Sequence, residues 1–300
     1  MLYIHTVFSL CKFGLKLGKE LNIPVVMHGH SKYNEEYPTH TKNKFICNQL
    51  IKSAYKLMSK ADIVTPVSNG TKDFYFNNGQ KTKMQVLENT SDFTLLNPTP
   101  DTIKEIENKY NFDYKKDNVL VLITRLDTYY KNLDFLLYSL KELKELGTKF
   151  KFLLVGCGKD EDKLKKLAED LDLNDCLTFV GEIKDREYIK YFYYLATLLC
   201  FPSIRDTSGL LKYEGASQKL ATIGIKGVAC TEDIINDYNG YVTENNPKAY
   251  AQKIHDVLLD KEKLNKVCEN AYKTLNKTWL DKANELLEIF DKLIKDKKAS

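Results

Sequence analysis

Residues Phe201–Gly227 read "FPSIRDTSGLLKYEGASQKLATIGIKG". An apolar lead-in ends at Pro202 and Ser203, a turn-rich middle reaches Gly209, and a helix is predicted over 212–219 before a β-branched run at 221–227. Strand, loop, helix and strand in that order make one parallel crossover unit. Asp206 and Glu214 stand eight apart with Gly209 between them, one acid in the loop and one on the helix. Among 41 acids in 300 residues about five or six such pairs arise by chance, so spacing alone assigns them nothing.

Outward from that unit the same alternation fills the chain, which argues for an α/β class with parallel sheets. Toward the N-terminus, "ATLLCFPS", "LTFVG" (177–181), "KFLLVG" (151–156) and "NVLVLIT" (118–124) read as strands, with helices over 185–196, 160–171 and 131–146. Toward the C-terminus, "DYNGYVTE" reads as a turn and short strand, and 247–259, 261–275 and 278–297 have helical periodicity. Residues 89–118 hold two prolines and a short helix, and mark a boundary. Before it, "MLYIHT", "IPVVMH" (23–28), "ADIVTPVS" and "KMQVLEN" read as strands. Helices are expected over 8–21, 42–60 and 70–78, the last capped by Ser68. In 42–60 the expected buried face is Ile46, Leu50, Ile51, Ala54, Leu57 and Met58. The expected domains are 1–88, 89–270 and a C-terminal helix over 271–300 that can return to the first domain. Each of the two halves has the layout of a Rossmann-like layer.

Composition narrows the function. Apolar residues are 43% of the chain, enough for a packed core, and charged residues 29%. A net charge of +4 is too small to imply a nucleic-acid partner. Lysine supplies most of the positive charge, which suits solvated faces or a loose hold on an anionic membrane surface. Arginine occurs only at 125, 186 and 205, so each one invites a question about phosphate contacts. Seven cysteines without metal-like spacing indicate a reducing compartment and no disulfide framework. No apolar stretch is long enough to span a bilayer, and the N-terminal charges follow the apolar part, unlike a signal peptide.

In parallel sheets of this kind ligands bind beyond the carboxyl ends of the strands. That rule selects three loops: "RLDTYYKN" with Arg125 and Lys131, "CGKDEDKL" with Gly158 in it and Gly156 just before it, and "IRDTSGLLKYEG". Together they offer two cations, close backbone approach at glycine, a helix N-terminus and two carboxylates. Cations and free N–H groups suit a diphosphate, and carboxylates accept from sugar hydroxyls. The combined inventory suits a nucleotide sugar.

The same residues carry a resemblance. Residues 118–240 resemble the donor domain of the family 4 glycosyltransferases, through Pro202-Ser203, Asp206, Gly209-Leu210, Glu214 and Ala216, the "RL…KN" loop and "VGCG". "VSNGTKDF" (67–74), "MLYIHTVFSL" and "IPVVMHGHSKYNEEY" resemble parts of the acceptor domain. The resemblance implies a GT-B fold, two Rossmann-like domains facing a cleft, and transfer of a hexose to a glycan or lipid acceptor with retained anomeric configuration, as in bacterial surface polysaccharide or glycolipid synthesis. It implies that Glu214 holds the ribose and that Asp206 meets the sugar hydroxyls. Arg125 and Lys131 would neutralise the diphosphate, with the backbone of Gly209 and Leu210, and Ser208, Gly156 and Gly158, around it. His30 would lie near the donor sugar. A UDP-sugar is the implied donor, with no metal and no other cofactor. The implied place is the cytoplasm, with a peripheral seat on the inner face of the plasma membrane.

Departures from the pattern are visible. Asp206 replaces the usual Glu, Tyr130 stands where an acid is common, and Lys219 where Gly is usual. Met1 lies almost on a strand that comes later in the family, so the acceptor domain is expected to be truncated, the start codon misplaced, or the fold completed by a partner chain. Two other function classes compete: a non-catalytic nucleotide-sugar-binding remnant, and a sugar-nucleotide epimerase, which the acceptor-side match disfavours. His28 and His30 with Glu35 and Glu36 could be read as a metal site, but the ligands are too few. His5 reads as a packed strand-end residue, and the aromatics of 188–196 as helix core.

Overall fold

A computed structural model of the chain describes residues 1–299. The backbone divides into two units: Met1–Asn89 together with the segment from Thr278, and Thr90–Lys277. The 270/271 boundary expected from sequence falls inside a helix that runs Lys261–Leu275, because its apolar face (Leu264, Val267, Ala271, Leu275) stays packed within the second unit.

The second unit contains six strands: β4 (Val119–Ile123), β5 (Lys151–Val155), β6 (Leu177–Gly181), β7 (Leu198–Phe201), β8 (Thr222–Ile225) and β9 (Tyr241–Thr243). All neighbouring pairs are parallel, in the order β6-β5-β4-β7-β8-β9. The chain builds outward from β4 to one side and then returns to build outward from β7 on the other. The order therefore reverses between β4 and β7, and at that point the loops part to leave a crevice. Side chains alternate between two cores. Leu120, Leu122, Phe152, Leu154, Leu198 and Cys200 meet α7 (Leu133–Glu145), α8 (Glu161–Asp170), α11 (Pro247–Leu259) and α12 (Lys261–Leu275). Val119, Val121, Leu153, Val155 and Leu199 meet α5 (Pro100–Tyr110) and α9 (Arg186–Leu195). Burial on both faces is what near-continuous apolar strands require. Tyr191, Phe192 and Tyr193 of α9 are core, as their helical spacing predicts.

The first unit has a three-stranded parallel sheet, β1 (Leu2–Ile4), β2 (Val25–Gly29) and β3 (Ile63–Pro66), in that order. One face is covered by α1 (Ser9–Glu20), α2 (Tyr33–His40), α3 (Lys44–Met58) and α4 (Asn69–Asn77). On the other, Val26 and Ile63 pack against Ile289 and Leu293 of α13 (Trp279–Ala299). Ser68 caps α4 by accepting from the Thr71 N–H at 3.1 Å.

Three expectations need correction, and one helix was not foreseen. The buried face of α3 is Cys47, Ala54, Tyr55, Leu57 and Met58, while Ile46 and Leu50 are exposed. Tyr55 decides this, since its ring packs among Tyr33 and Tyr75 and rotates the helix away from the simple aliphatic stripe. "KMQVLEN" is not a full strand: Met84 makes a single parallel bridge to Val64. The helix expected over 131–146 begins as a single turn, α6 (Thr128–Lys131), and restarts as α7 after Asn132 adopts a left-handed conformation (φ 55°). α2 was not anticipated; it forms across Pro38 because Tyr33 and Tyr37, one turn apart, bury together. Among the described residues no helix is long and apolar enough to cross a membrane.

Candidate functional site

The carboxyl ends of β4, β5 and β7 converge at the reversal of strand order. Beyond β5 the chain turns at Gly156 (φ 129°), where a Cβ would stand 1.9 Å from the Thr124 carbonyl oxygen. A Cβ at Gly158 would stand 2.4 Å from the Leu126 carbonyl oxygen. Only glycine lets this loop run against the one after β4. The two are stitched by Thr124 N–H to Val155 (2.8 Å) and Leu126 N–H to Cys157 (2.9 Å). Between them opens a hollow of ≈ 460 Å³, walled by Arg125, Gly156, Gly158, Glu182, Ile183 and Ile189 among others. The Arg125 side chain is 67% exposed, with Nη2 3.7 Å from Asp127, so its charge remains accessible to a ligand.

The loops after β4 and β7 are laced across the crevice. Lys131 Nζ donates to Asp206 Oδ2 at 2.6 Å. Asn132 donates to the Pro202 carbonyl (3.1 Å), Ser203 Oγ to the Tyr130 carbonyl (2.9 Å), and Arg205 to the Tyr129 carbonyl (3.0 Å). The cation and carboxylate expected to meet a donor are thus brought together.

α10 (Leu210–Ser217) starts two residues earlier than its periodicity predicts, because Gly209 turns left-handed (φ 66°) and opens the helix directly from the loop. A Cβ at Gly209 would lie 2.7 Å from the Phe201 ring and 2.9 Å from the Cys230 carbonyl oxygen. Beside it Ser208 is buried, and its hydroxyl has no hydrogen-bond partner among the described residues. Lys212 fixes this loop from beneath. Its buried Nζ donates to the carbonyls of Ser208 and Cys230, each at 2.7 Å, and pairs with Asp233 at 2.8 Å. Tyr213 donates to the same carboxylate at 2.8 Å.

Glu214 sits one turn into α10, half-buried, and accepts from Tyr193 Oη at 2.7 Å. Burial raises its pKa above the ordinary carboxylate range, against the Tyr193 bond and Arg186, which favour the ionised form. Glu214 is not among the residues walling the Arg125 hollow.

His30 belongs to the first unit, at the carboxyl end of β2, where three imidazoles gather. His5 Nδ1 and His30 Nε2 are 3.1 Å apart, and the His28 ring lies 4.2 Å from that of His30. His28 Nδ1 bonds Thr65 Oγ1 at 2.8 Å, and burial, reinforced by its two neighbours, drives its pKa down to about 3. His5 and His30 are also lowered, mainly by burial. Among the described residues no group of three His, Cys, Asp or Glu side chains is placed to hold a metal ion.

Sequence reasoning missed the groups that hold others in place. Asp127 is buried and pairs with Lys159 at 3.0 Å; Asp160 accepts from the Thr128 N–H at 2.8 Å. Lys212 was passed over between Gly209 and Glu214, although a lysine inside an otherwise apolar helix start is a usable signal. Nothing in the sequence announces its partner Asp233, or the pairing of His5 with His30 across 25 positions.

With this geometry in place, the chain can be set beside known proteins. The sequence model of the family described as "Glycosyl transferases group 1" matches residues 103–274. The chain is 24% identical over 218 residues to an alpha-monoglucosyldiacylglycerol synthase of Streptococcus pneumoniae, covering 71% of this chain and 49% of that protein. It is 25% identical over 248 residues to the synthase of the same name from Acholeplasma laidlawii, covering 74% and 58%. The chain thus spans about half the length of these curated relatives. Among solved structures it resembles Anabaena Alr3699/HepE in complex with UDP, with a TM-score of 0.80, 18% identity, and 97% of this chain and 78% of that one covered. Sucrose-phosphate synthase from Thermosynechococcus elongatus gives a TM-score of 0.79 at 18% identity, covering 98% and 74%. At that identity the likeness is one of fold, the α/β architecture of GT-B glycosyltransferases.

Proposed function

The chain belongs to the glycosyl transferases group 1 family, and from that premise we propose that it transfers a hexose from a UDP-sugar to a glycolipid or glycan acceptor, in the manner of the retaining family 4 enzymes. The observation that carries this reading is the Lys131–Asp206 pair at the reversal of strand order, which sets a cation and a carboxylate at one point of the crevice. The donor diphosphate takes Lys131 from Asp206, and Asp206 turns to a sugar hydroxyl. Arg125, the N–H groups of Gly209 and Leu210, and the Ser208 hydroxyl take the remaining phosphate oxygens. Glu214 accepts from the ribose. UDP is the nucleotide of choice because the Anabaena relative of this fold is described in complex with UDP. The two relatives named alpha-monoglucosyldiacylglycerol synthase support a lipid acceptor.

In the proposed reaction the bond from the anomeric carbon to the phosphate oxygen breaks and a bond to the acceptor oxygen forms on the same face. The acceptor proton passes to the departing phosphate. Lys131 and Arg125 stabilise the charge that develops there, a contribution worth about 3 kcal/mol per well-placed donor. The proposal requires no metal, since these side chains supply the positive charge.

The test is calorimetric titration with UDP and GDP, followed by transfer from labelled UDP-glucose to diacylglycerol. UDP binding is expected, and Lys131→Ala should weaken it about tenfold or more. Absence of UDP and GDP binding would overturn the reading; binding without turnover on any acceptor would replace it with a non-catalytic nucleotide-sugar-binding role.

A further inference from the structure

The amino-terminal edge of the three-stranded sheet, opposite the edge that bears the histidines, carries a hollow of ≈ 800 Å³ that no step above uses. Its size falls in the range of small-molecule sites. Its floor is apolar, made by Leu15 and Gly18 of α1, Val25 at the start of β2 and Leu57 of α3. Gly18 is part of the design: a Cβ there would lie 2.2 Å from Val25 Cγ2, so only glycine brings the helix down onto the strand. The rim is basic: Lys12, Lys16 and Lys19 from one face of α1, Lys60 after α3, and Lys297 of α13.

These charges are compensated only in part. Lys297 is held by the Ile23 carbonyl (3.1 Å) and Asp62 (3.5 Å), and Asp62 is the one acid in the lining. Lys16 has an exposed helical partner in Glu20 at 3.6 Å. Lys12, Lys19 and Lys60 have no carboxylate partner among the described residues. The carboxyl ends of α1 and α3 also point to this edge, each supplying about half a negative charge, which leaves about two positive charges unanswered. Like charges around a concave apolar floor focus a field that a counter-ion relieves.

We propose that this hollow is a binding site for a phosphate dianion carried on an apolar body, separate from the crevice of the second unit. The lysine rim takes the phosphate and the Leu15–Val25–Leu57 floor takes the attached carbon skeleton. The same chemistry is offered by the headgroup of phosphatidic acid and by a soluble organic phosphate.

The experiment uses the full chain with UDP in excess, so that phosphate binding in the second unit is saturated. Phenyl phosphate is titrated calorimetrically, and co-sedimentation is measured with phosphatidylcholine vesicles with and without phosphatidic acid. The variant combines Lys12→Gln, Lys19→Gln and Lys60→Gln; a charge-matched control combines Lys44→Gln, Lys52→Gln and Lys83→Gln, three exposed lysines outside the hollow. Binding of either probe is expected, reduced about tenfold or more in the first variant and little changed in the control. Binding of phenyl phosphate marks a soluble ligand as able to fill the site; binding to phosphatidic acid vesicles alone assigns it to the lipid. Equal losses in both variants would reduce the effect to net charge and overturn the proposal, as would binding of neither probe. Since the UDP site is not mutated, loss of its function leaves this readout intact.

Discussion

The two sheets end in carboxyl edges built on opposite electrostatic plans. At the edge of the six-stranded sheet, charges are kept and matched: Lys131 with Asp206, Asp127 with Lys159, and Lys212 with Asp233. At the edge of the three-stranded sheet, ionisable groups are stripped of charge: His5, His28 and His30 pack ring against ring, and all three have lowered pKa values. Matched charges preorganise a surface for a charged ligand. A cluster of neutral imidazoles is stable only while protons stay off it. One fold principle, parallel strands with loops at their carboxyl ends, thus supports one edge of paired charges and one of buried imidazoles that responds to acid.

Three perturbations would sharpen or break that contrast. The largest effect is expected for Lys212→Met, which leaves Asp233 without its cation beneath the loop of Ser208 and Gly209. It should cost about 4 kcal/mol in urea unfolding. A cost below about 1 kcal/mol would show that the loop does not depend on the matched pair.

Next comes Gly156→Ala, which adds a Cβ within 1.9 Å of a backbone oxygen at φ 129°. Neither atom can move without shifting β4 or β5, so a loss of about 3 kcal/mol and of nucleotide binding is expected. Near-native stability would mean that the two loops are adaptable and the hollow is not preformed.

The smallest of the three effects comes from pH. An imidazole lowered from 6.5 to about 3 contributes stability that is whole above pH 6.5 and lost as pH falls toward the folded value. For His28 the loss should reach about 2–3 kcal/mol by roughly pH 4.5. His28→Gln, which can keep a bond to Thr65, should flatten that dependence. If acid instead weakened only the second unit, with the His28→Gln profile unchanged, the contrast between the edges would be wrong. Because the units carry separate cores, unfolding should be followed with a probe in each.

How much of this was legible depends on range. The strands of the second unit were readable because runs such as 119–123 and 151–155 are buried on both faces, and their loops were readable because ligand sites follow strand ends. Lys131 and Asp206 were both named from sequence; that they touch each other was not foreseen, because the contact joins positions 75 apart. Lys212 was invisible as an anchor because its partners, Cys230 and Asp233, arrive only with the loop after β8. The true face of α3 was misread because Tyr55, counted as neither strongly apolar nor polar, is buried by a tyrosine cluster assembled from three helices.

The sequence by itself determined the α/β class, the succession of parallel units and the loops at which chemistry gathers, since these follow from local periodicity and turn residues that act within a few positions. Only the tertiary structure decided which charges are matched, which histidines meet, and where five lysines surround one hollow. Those outcomes depend on strand order and helix rotation, and both are set by burial against elements distant in the chain.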